Sequence, residues 1–378
     1  MKKKYALDKI KPGVSFSQDV YSDTENLFVL AGTPIKKRDL DGLAAWGITH
    51  VFSEGEPVEP AAAHPALAQQ KGMAAFSDHK LYAAYIDLVD RLRSVLDRLS
   101  GGEKVEPKLV DSLAQDALNL VRDRDADVAA AILSTDIKGY DLARAGVNTA
   151  ILSLVMGRTM KLPPHRLTHL AEGALLHDAG MLRLPPEIVK KKGALSPEEA
   201  QKMRAHPLLS YKIITKELQY PDDVGLIGLQ HHERWDGDGY PRRTAGKDVD
   251  QLSRIVSVAD AFEAMVSQKP YRNSMIGYAA MKNLLSDNSR RFDPDVIKAF
   301  IRSMGIYPIG SIVLLNNAAI ARVLESHADA PLRPRIKIIV DEFGKHYKDD
   351  EGELVDLLAE KALFIARALD PKELVSAS

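Results

Sequence analysis

Residues 231–241 read His231-His232-Glu233-Arg234-Trp235-Asp236-Gly237-Asp238-Gly239-Tyr240-Pro241, and no other stretch of the chain is as rich in chemistry. Two neighbouring histidines beside an acid offer nitrogen and oxygen ligands in one short segment. A turn of Asp-Gly-Asp-Gly, closed by Tyr-Pro, follows at once. Adjacent histidines use core space poorly, because each buried imidazole needs a polar partner. They make sense as metal ligands. Side chains at successive helical positions diverge by roughly 100°, so the pair can serve one ion only at a helix end, or serve two sides of a site.

Four more residues share this context. His177-Asp178 ends the Ala/Leu-rich run Leu167 to Leu176, His206 precedes Pro207, and Asp260 lies in the apolar run Ile255 to Phe262. An unpaired buried carboxylate is costly. Six such groups in one helical region share one answer, a metal site whose ions satisfy them. The chain has 0 cysteines, so disulfides, thiolate nucleophiles and Cys-zinc sites are excluded. His and carboxylate ligands suit iron, manganese or zinc. Two ions about 3.5–4 Å apart, bridged by a carboxylate and a hydroxide, suit hydrolysis of a phosphate ester.

The elements that must position these groups are mainly helical. Helices are expected over Leu81 to Leu99, Val110 to Val121, Val128 to Ile132, Ala150 to Met160, Leu167 to Leu176, Val224 to Glu233, Leu252 to Ser267 and Tyr278 to Leu285. A small α+β module precedes them, with strands at Val20-Tyr21, Leu27 to Leu30 and Ile48 to Phe52, a helix over Lys37 to Trp46 and a linker over 54–72. After about Ile306 the pattern turns strand-like at Ile312 to Leu315, Ala319 to Leu324 and Ile336 to Val340, with a closing helix over Leu354 to Leu369. The expected fold class is mainly α, in three parts: 1–70, a small α+β module and linker; 71–303, a helical domain; 304–378, a β-rich extension with a terminal helix. Lys+Arg is 51 and Asp+Glu 52, and 45% of residues are hydrophobic, so a packed core is expected and a polymeric nucleic-acid partner is not. The opening MKKKYALDKIKPG has no apolar run after its lysines, and no stretch is long and apolar enough to span a bilayer. The expectation is a cytoplasmic protein without membrane contact.

These residues resemble the HD-GYP family of the HD phosphohydrolases. The resemblance rests on Leu175-Leu176-His177-Asp178-Ala179-Gly180, Ala205-His206-Pro207, the 231–241 stretch, Val258-Ala259-Asp260-Ala261-Phe262, Lys269-Pro270-Tyr271-Arg272 and Arg291-Phe292-Asp293-Pro294, in the family's order. The segment with Ile10 to Gly13 looks like a small module that often precedes such domains, and Gly305 to Ser311 looks like an extension seen in some members. The resemblance implies a helical HD-type domain that hydrolyses cyclic di-GMP to the linear dinucleotide or GMP. It implies two divalent ions, iron favoured over manganese or zinc, held by His177, Asp178, His206, His231, His232 and Asp260, with Asp178 catalytic and bridging. Gly239 and Tyr240 would shape the wall and Arg272 would contact a phosphate.

Two departures touch the chemistry. The family carries a further histidine ligand one helix before the HD pair, and here that position is Ala145. The family's His-Asp-x-Gly-Lys reads His177-Asp178-Ala179-Gly180-Met181, so the phosphate-binding lysine is a thioether. Asp141 and Arg183 are the residues to consider as compensation. Two readings follow: a slow metal-dependent cyclic di-GMP phosphodiesterase, or a catalytically degraded relative that binds metal, nucleotide or a signalling partner. A homodimer is compatible with either. A purely structural helical protein leaves the 231–241 stretch without an account. Restoring the ligand by Ala145→His is expected to raise metal occupancy at the poorer position, read by elemental analysis of the purified protein. Unchanged stoichiometry and affinity would count against this alignment.

Overall fold

In the computed structural model, the described residues are 2–10, 14–16, 18, 20–22, 27–29, 35, 40, 48–58, 79–122, 141–191, 193–267, 277–287, 290–348 and 351–370. The chain divides into two compact units, Met1–Lys71 with Leu369–Ser378, and Gly72–Ala368.

The first unit holds β1 (Lys3–Ala6), β2 (Ser15–Phe16), β3 (Val20–Tyr21), β4 (Leu27–Val29), β5 (His50–Ser53) and β6 (Pro57–Val58). An antiparallel sheet runs in the order β1-β5-β3-β4, and β2 pairs with β6. The expected hairpin forms, with Val20 opposite Val29. Pro57-Val58, expected in a linker, is instead the β6 partner of β2. Ile10, Val14, Phe16, Val20, Ile35 and Val51 make a small core. The expected helix over Lys37 to Trp46 lies almost wholly outside the described residues, as does the segment Val128 to Ile132.

The second unit opens with α1 (His79–Ser100) and α2 (Pro107–Arg122). Leu81, Tyr85, Leu88, Leu92, Val95 and Leu99 recur at three- and four-residue steps and are buried, so one stripe of α1 faces the core. Pro107 starts α2 where a missing N–H costs nothing. Next come α3 (Leu142–Thr159) and α4 (Pro164–Leu176). The α3 helix is buried almost all round and touches α1, α2 and α4. Asp141 caps it, its carboxylate accepting from the Ala143 and Arg144 amides. The short α5 (Pro186–Val189), α6 (Pro197–Met203) and α7 (His206–Lys212) lead to α8 (Asp222–Gln230). A capping box between Ser196 and Glu199 starts α6. The remaining helices are α9 (Gln251–Val266), α10 (Gly277–Ser286) and α11 (Pro294–Met304), and α9 and α11 also pack on α3.

Beyond α11 lies an antiparallel sheet of β7 (Ile312–Leu315), β8 (Ile320–Glu325), β9 (Arg335–Val340), β10 (Leu354–Asp356) and β11 (Ile365–Leu369), in the order β10-β9-β8-β7-β11. The closing helix expected over Leu354 to Leu369 is therefore two strands and a turn. Leu, Ala and Glu make that stretch a good helix former, but pairing overrides propensity. Leu354, Val355 and Asp356 pair with Lys337, Ile336 and Arg335. Asp356 then accepts from the Leu358 amide and starts the turn, while Val355 and Leu357 go into the core with Val323 and Ile336.

Glu172 is the one acid in the inward stretch of α4 that ends at His177. Burial, then the charges of Asp111 and Asp223, push its carboxyl up to about 7. A folded-state value above the unfolded one means this acid costs nothing below pH 4, and the cost grows as pH rises toward 7 and levels off beyond it. Glu172→Gln should therefore raise the melting temperature by several degrees at pH 8 and barely change it at pH 4. An equal change at both pH values would rule out the ionisation as the cause.

Candidate metal centre

Three histidines are set at helix ends in the same way. His177 follows α4, His206 follows α6 by three residues, and His231 caps α8. Each points its Nδ1 at the carbonyl three residues earlier: His177 at Ala174 O (2.7 Å), His206 at Met203 O (2.8 Å) and His231 at Gly228 O (2.9 Å). A carbonyl only accepts, so each Nδ1 carries a proton, and in the neutral ring Nε2 is left to present the lone pair. This is the orientation a metal-ligating imidazole needs.

The Nε2 atoms converge on the two aspartates. Asp178 Oδ1 lies 3.2 Å from His206 Nε2 and 3.5 Å from His231 Nε2, while its Oδ2 lies 3.7 Å from His177 Nε2. Asp260 Oδ1, from α9, is 3.6 Å from His177 Nε2. Candidate ligand atoms of Asp178, His206, His231 and His232 all lie within 4.8 Å of one another. Two features fit a cation here. The Nε2 atoms of His206 and His231 face each other at 3.3 Å, lone pair to lone pair, and His177 Nε2 and Asp178 Oδ1 are buried without a hydrogen-bond partner. The donor set of imidazoles and carboxylates is one that divalent transition metals take.

The electrostatics follow from burial and mutual charge. Burial lowers the basicity of His177, but Asp178 and Asp260 more than offset it and the imidazole is pushed up to about 9. Burial opposes the charge of Asp178, yet His177 and His206 hold its carboxyl well below the usual range. Asp260 is lowered in the same way, against burial, by His177 and His232. Burial and the neighbouring His231 depress His232 strongly, and burial depresses His231.

The wall beside the cluster is the 232–241 loop. The Tyr240 ring lies 4.8 Å from the His232 ring, tilted by 30°. Gly239 is buried, and a Cβ there would meet Arg234 N at 2.5 Å and Glu233 Cα at 2.6 Å, so only glycine fits this close approach. Glu233, adjacent to the histidines, turns away from the cluster: its carboxylate accepts from the Arg242 and Thr244 amides at 2.7 and 3.1 Å and pins the loop. Gly180 supplies the other close approach. A Cβ there would lie 2.1 Å from His206 O, and its amide donates to Ser210 Oγ. That contact presses the His177-Asp178 turn against α7.

Residues 111–296 match the HD domain, and residues 312–377 match the KOW domain associated with HD domain. The chain is 29% identical over 305 residues to a cyclic di-GMP phosphodiesterase of Pseudomonas aeruginosa, covering 80% of this chain and 71% of that protein. It is 32% identical over 228 residues to the cyclic di-GMP phosphodiesterase PdeB of Borreliella burgdorferi, covering 60% of each. The chain belongs to the HD-GYP family. Among solved structures, an HDG"Y"P protein from Bdellovibrio bacteriovorus aligns at 16% identity over 79% of this chain and 98% of that one, with a TM-score of 0.49.

Within this HD-GYP domain, His177, Asp178, His206, His231, His232 and Asp260 come together, with Tyr240 and Gly239 beside them. The adjacent histidines do sit at a helix end, because α8 stops at Gln230, short of the expected Glu233. Asp141 is not brought to the cluster: it caps α3 and pairs with Arg93. Arg183 is not either, since it donates to Leu99 O and pairs with Glu217 at 2.9 Å. Arg272 lies outside the described residues. Sequence reasoning missed Arg204, whose guanidinium lies 5.5 Å from the Tyr240 ring centroid, and nothing in its local sequence marks it. Adding manganese, iron or zinc to chelator-treated protein should raise its melting temperature, since binding to the folded state alone adds about 2.7 kcal/mol at a hundredfold excess over Kd. Asp178→Ala should abolish that rise. A melting temperature indifferent to all three metals would exclude the site.

Proposed function

We propose that this chain is a metal-dependent phosphodiesterase acting on cyclic di-GMP, with slow turnover. The observation that carries it is the pair of half-sites joined by Asp178. Oδ1 faces His206 and His231, and Oδ2 faces His177, which Asp260 also approaches. A carboxylate shared in this way suits a bridge between two divalent ions, iron in preference to manganese or zinc. Such ions, when bound, neutralise an anionic phosphodiester and supply hydroxide near neutral pH. The chain spans 71% and 60% of the two phosphodiesterases compared above, and their substrate motivates the choice of cyclic di-GMP.

The protein's own groups orient and enclose. The backbone-anchored imidazoles keep their Nε2 atoms aimed at one point before any substrate arrives, so little reorganisation is left to do during reaction. Burial, with Asp178 and Asp260 nearby, raises the Tyr240 phenol far above neutral pH. It therefore stays protonated and serves the wall as a hydrogen-bond donor. Gly239 lets the 232–241 loop fold back closely on the His232–Arg234 backbone.

The slow rate rests on Ala145 and Met181. The half-site of His177 and Asp260 has fewer protein donors than that of His206, His231 and His232. A methionine at 181 offers only a weak acceptor sulfur where the family has a cation. Asp141 and Arg183 are engaged elsewhere, which favours the second reading, a degraded relative that binds nucleotide without efficient turnover. Metal-loaded protein should convert cyclic di-GMP slowly to the linear dinucleotide or GMP. Met181→Lys alone should help little. Combined with Ala145→His it should gain up to roughly 10²–10³ in rate, the typical worth of one preorganised donor. Chromatographic product analysis reads the outcome. Wild-type turnover equal to that of the double variant would show that neither loss matters.

A further inference from the structure

Several arginines of this unit are committed to acids. Arg183 pairs with Glu217, Arg234 with Asp236, Arg254 with Asp293, and Arg166 with Asp250. Arg204 is different. It is exposed, follows α6 directly and makes no ion pair among the described residues. Its neighbour is the Tyr240 ring, 5.5 Å from the guanidinium carbon, and Tyr240 in turn packs on His232. The charges of Arg204 and Arg291 both reach the Tyr240 hydroxyl, opposing those of Asp178 and Asp260. A solvated surface arginine would need no explanation. This one reaches toward the ligand cluster through the Tyr240 and His232 rings. Its planar fork of donors matches phosphate oxygens.

We propose that Arg204 binds the phosphate of a cyclic dinucleotide that is not being cleaved. The inference rests on the function proposed above. A cyclic dinucleotide carries two phosphodiester anions in one ring. The His/Asp cluster takes one of them, and the other must lie outside it, where water or a cation receives its charge. Arg204, beside Tyr240 and without a carboxylate partner among the described residues, is a cation placed to do so. It makes the site selective for a doubly anionic ring over a single phosphodiester, and it leaves the cleavage chemistry to the cluster.

The test compares cyclic di-GMP with bis(p-nitrophenyl) phosphate, which has one phosphate, on metal-loaded wild type, Arg204→Gln and Arg204→Lys. For cyclic di-GMP, Arg204→Gln should raise KM, and the calorimetric Kd, by roughly ten- to a hundredfold, the worth of a hydrogen bond to a charged group. It should leave kcat and the one-phosphate substrate unchanged. Arg204→Lys should recover part of the loss, and the salt dependence of KM should flatten in Arg204→Gln. An unchanged KM and Kd in Arg204→Gln, with wild type active, would overturn the role of Arg204 and leave the proposed function standing. Parallel losses on both substrates, with lower metal content, would also overturn it, since the arginine would then be propping Tyr240. A wild type that neither binds nor cleaves cyclic di-GMP would overturn both.

Discussion

The centre depends on one repeated interaction, an imidazole N–H donated to an unpaired carbonyl at the end of a helix. Every α-helix leaves its last four carbonyls without intrahelical partners. At the ends of α4, α6 and α8 a histidine side chain fills that need, through Ala174 O, Met203 O and Gly228 O. The bond both finishes the helix and fixes the tautomer. A helix C-terminus also carries partial negative charge, which at α4 and α8 adds to that of Asp178 and Asp260 beside His177 and His231.

The apolar core exists to hold those helix ends still. Ile151, Leu154, Leu170, Ala174, Val258 and Phe262 are fully or almost fully buried and belong to one cluster. Buried side chains at interior packing density tolerate little displacement, so the ends of α4 and α8 cannot drift apart without opening it. The two close approaches, Gly180 on the His206 carbonyl and Gly239 on the Glu233–Arg234 backbone, finish the job where side chains would be in the way. Glu233 and Gln230 tie down the following loop through the amides of Arg242, Thr244 and Asp250. Packing and hydrogen bonds thus fix the backbone that carries the candidate ligands.

What the sequence made legible was ligand type in apolar context. A His-Asp pair ending an Ala/Leu helix, a His-His pair and an acid inside Ile255 to Phe262 are each costly to bury alone, and the structure gathers them. What it hid was decided by distant pairing. Leu354 to Leu369 has the composition of a helix, yet β9 and the sheet core claim it as strands. Glu233 reads like a ligand beside two histidines, but the helix ends at Gln230 and the chain turns, sending its carboxylate to the backbone of residues 242 and 244. Asp141 reads like a reserve ligand one turn from Ala145, and the cap of α3 claims it first. Arg204 is invisible locally because only the fold brings Tyr240 beside it.

Asp178 has two oxygens that look in different directions, one toward His206 and His231 and the other toward His177. A single negative charge divided between two half-sites makes them thermodynamically linked. A cation held on one side would draw electron density from the other, so a second would meet a weaker site than the first. Linkage of this kind is reciprocal: tightening either half by mutation must alter the affinity of the other.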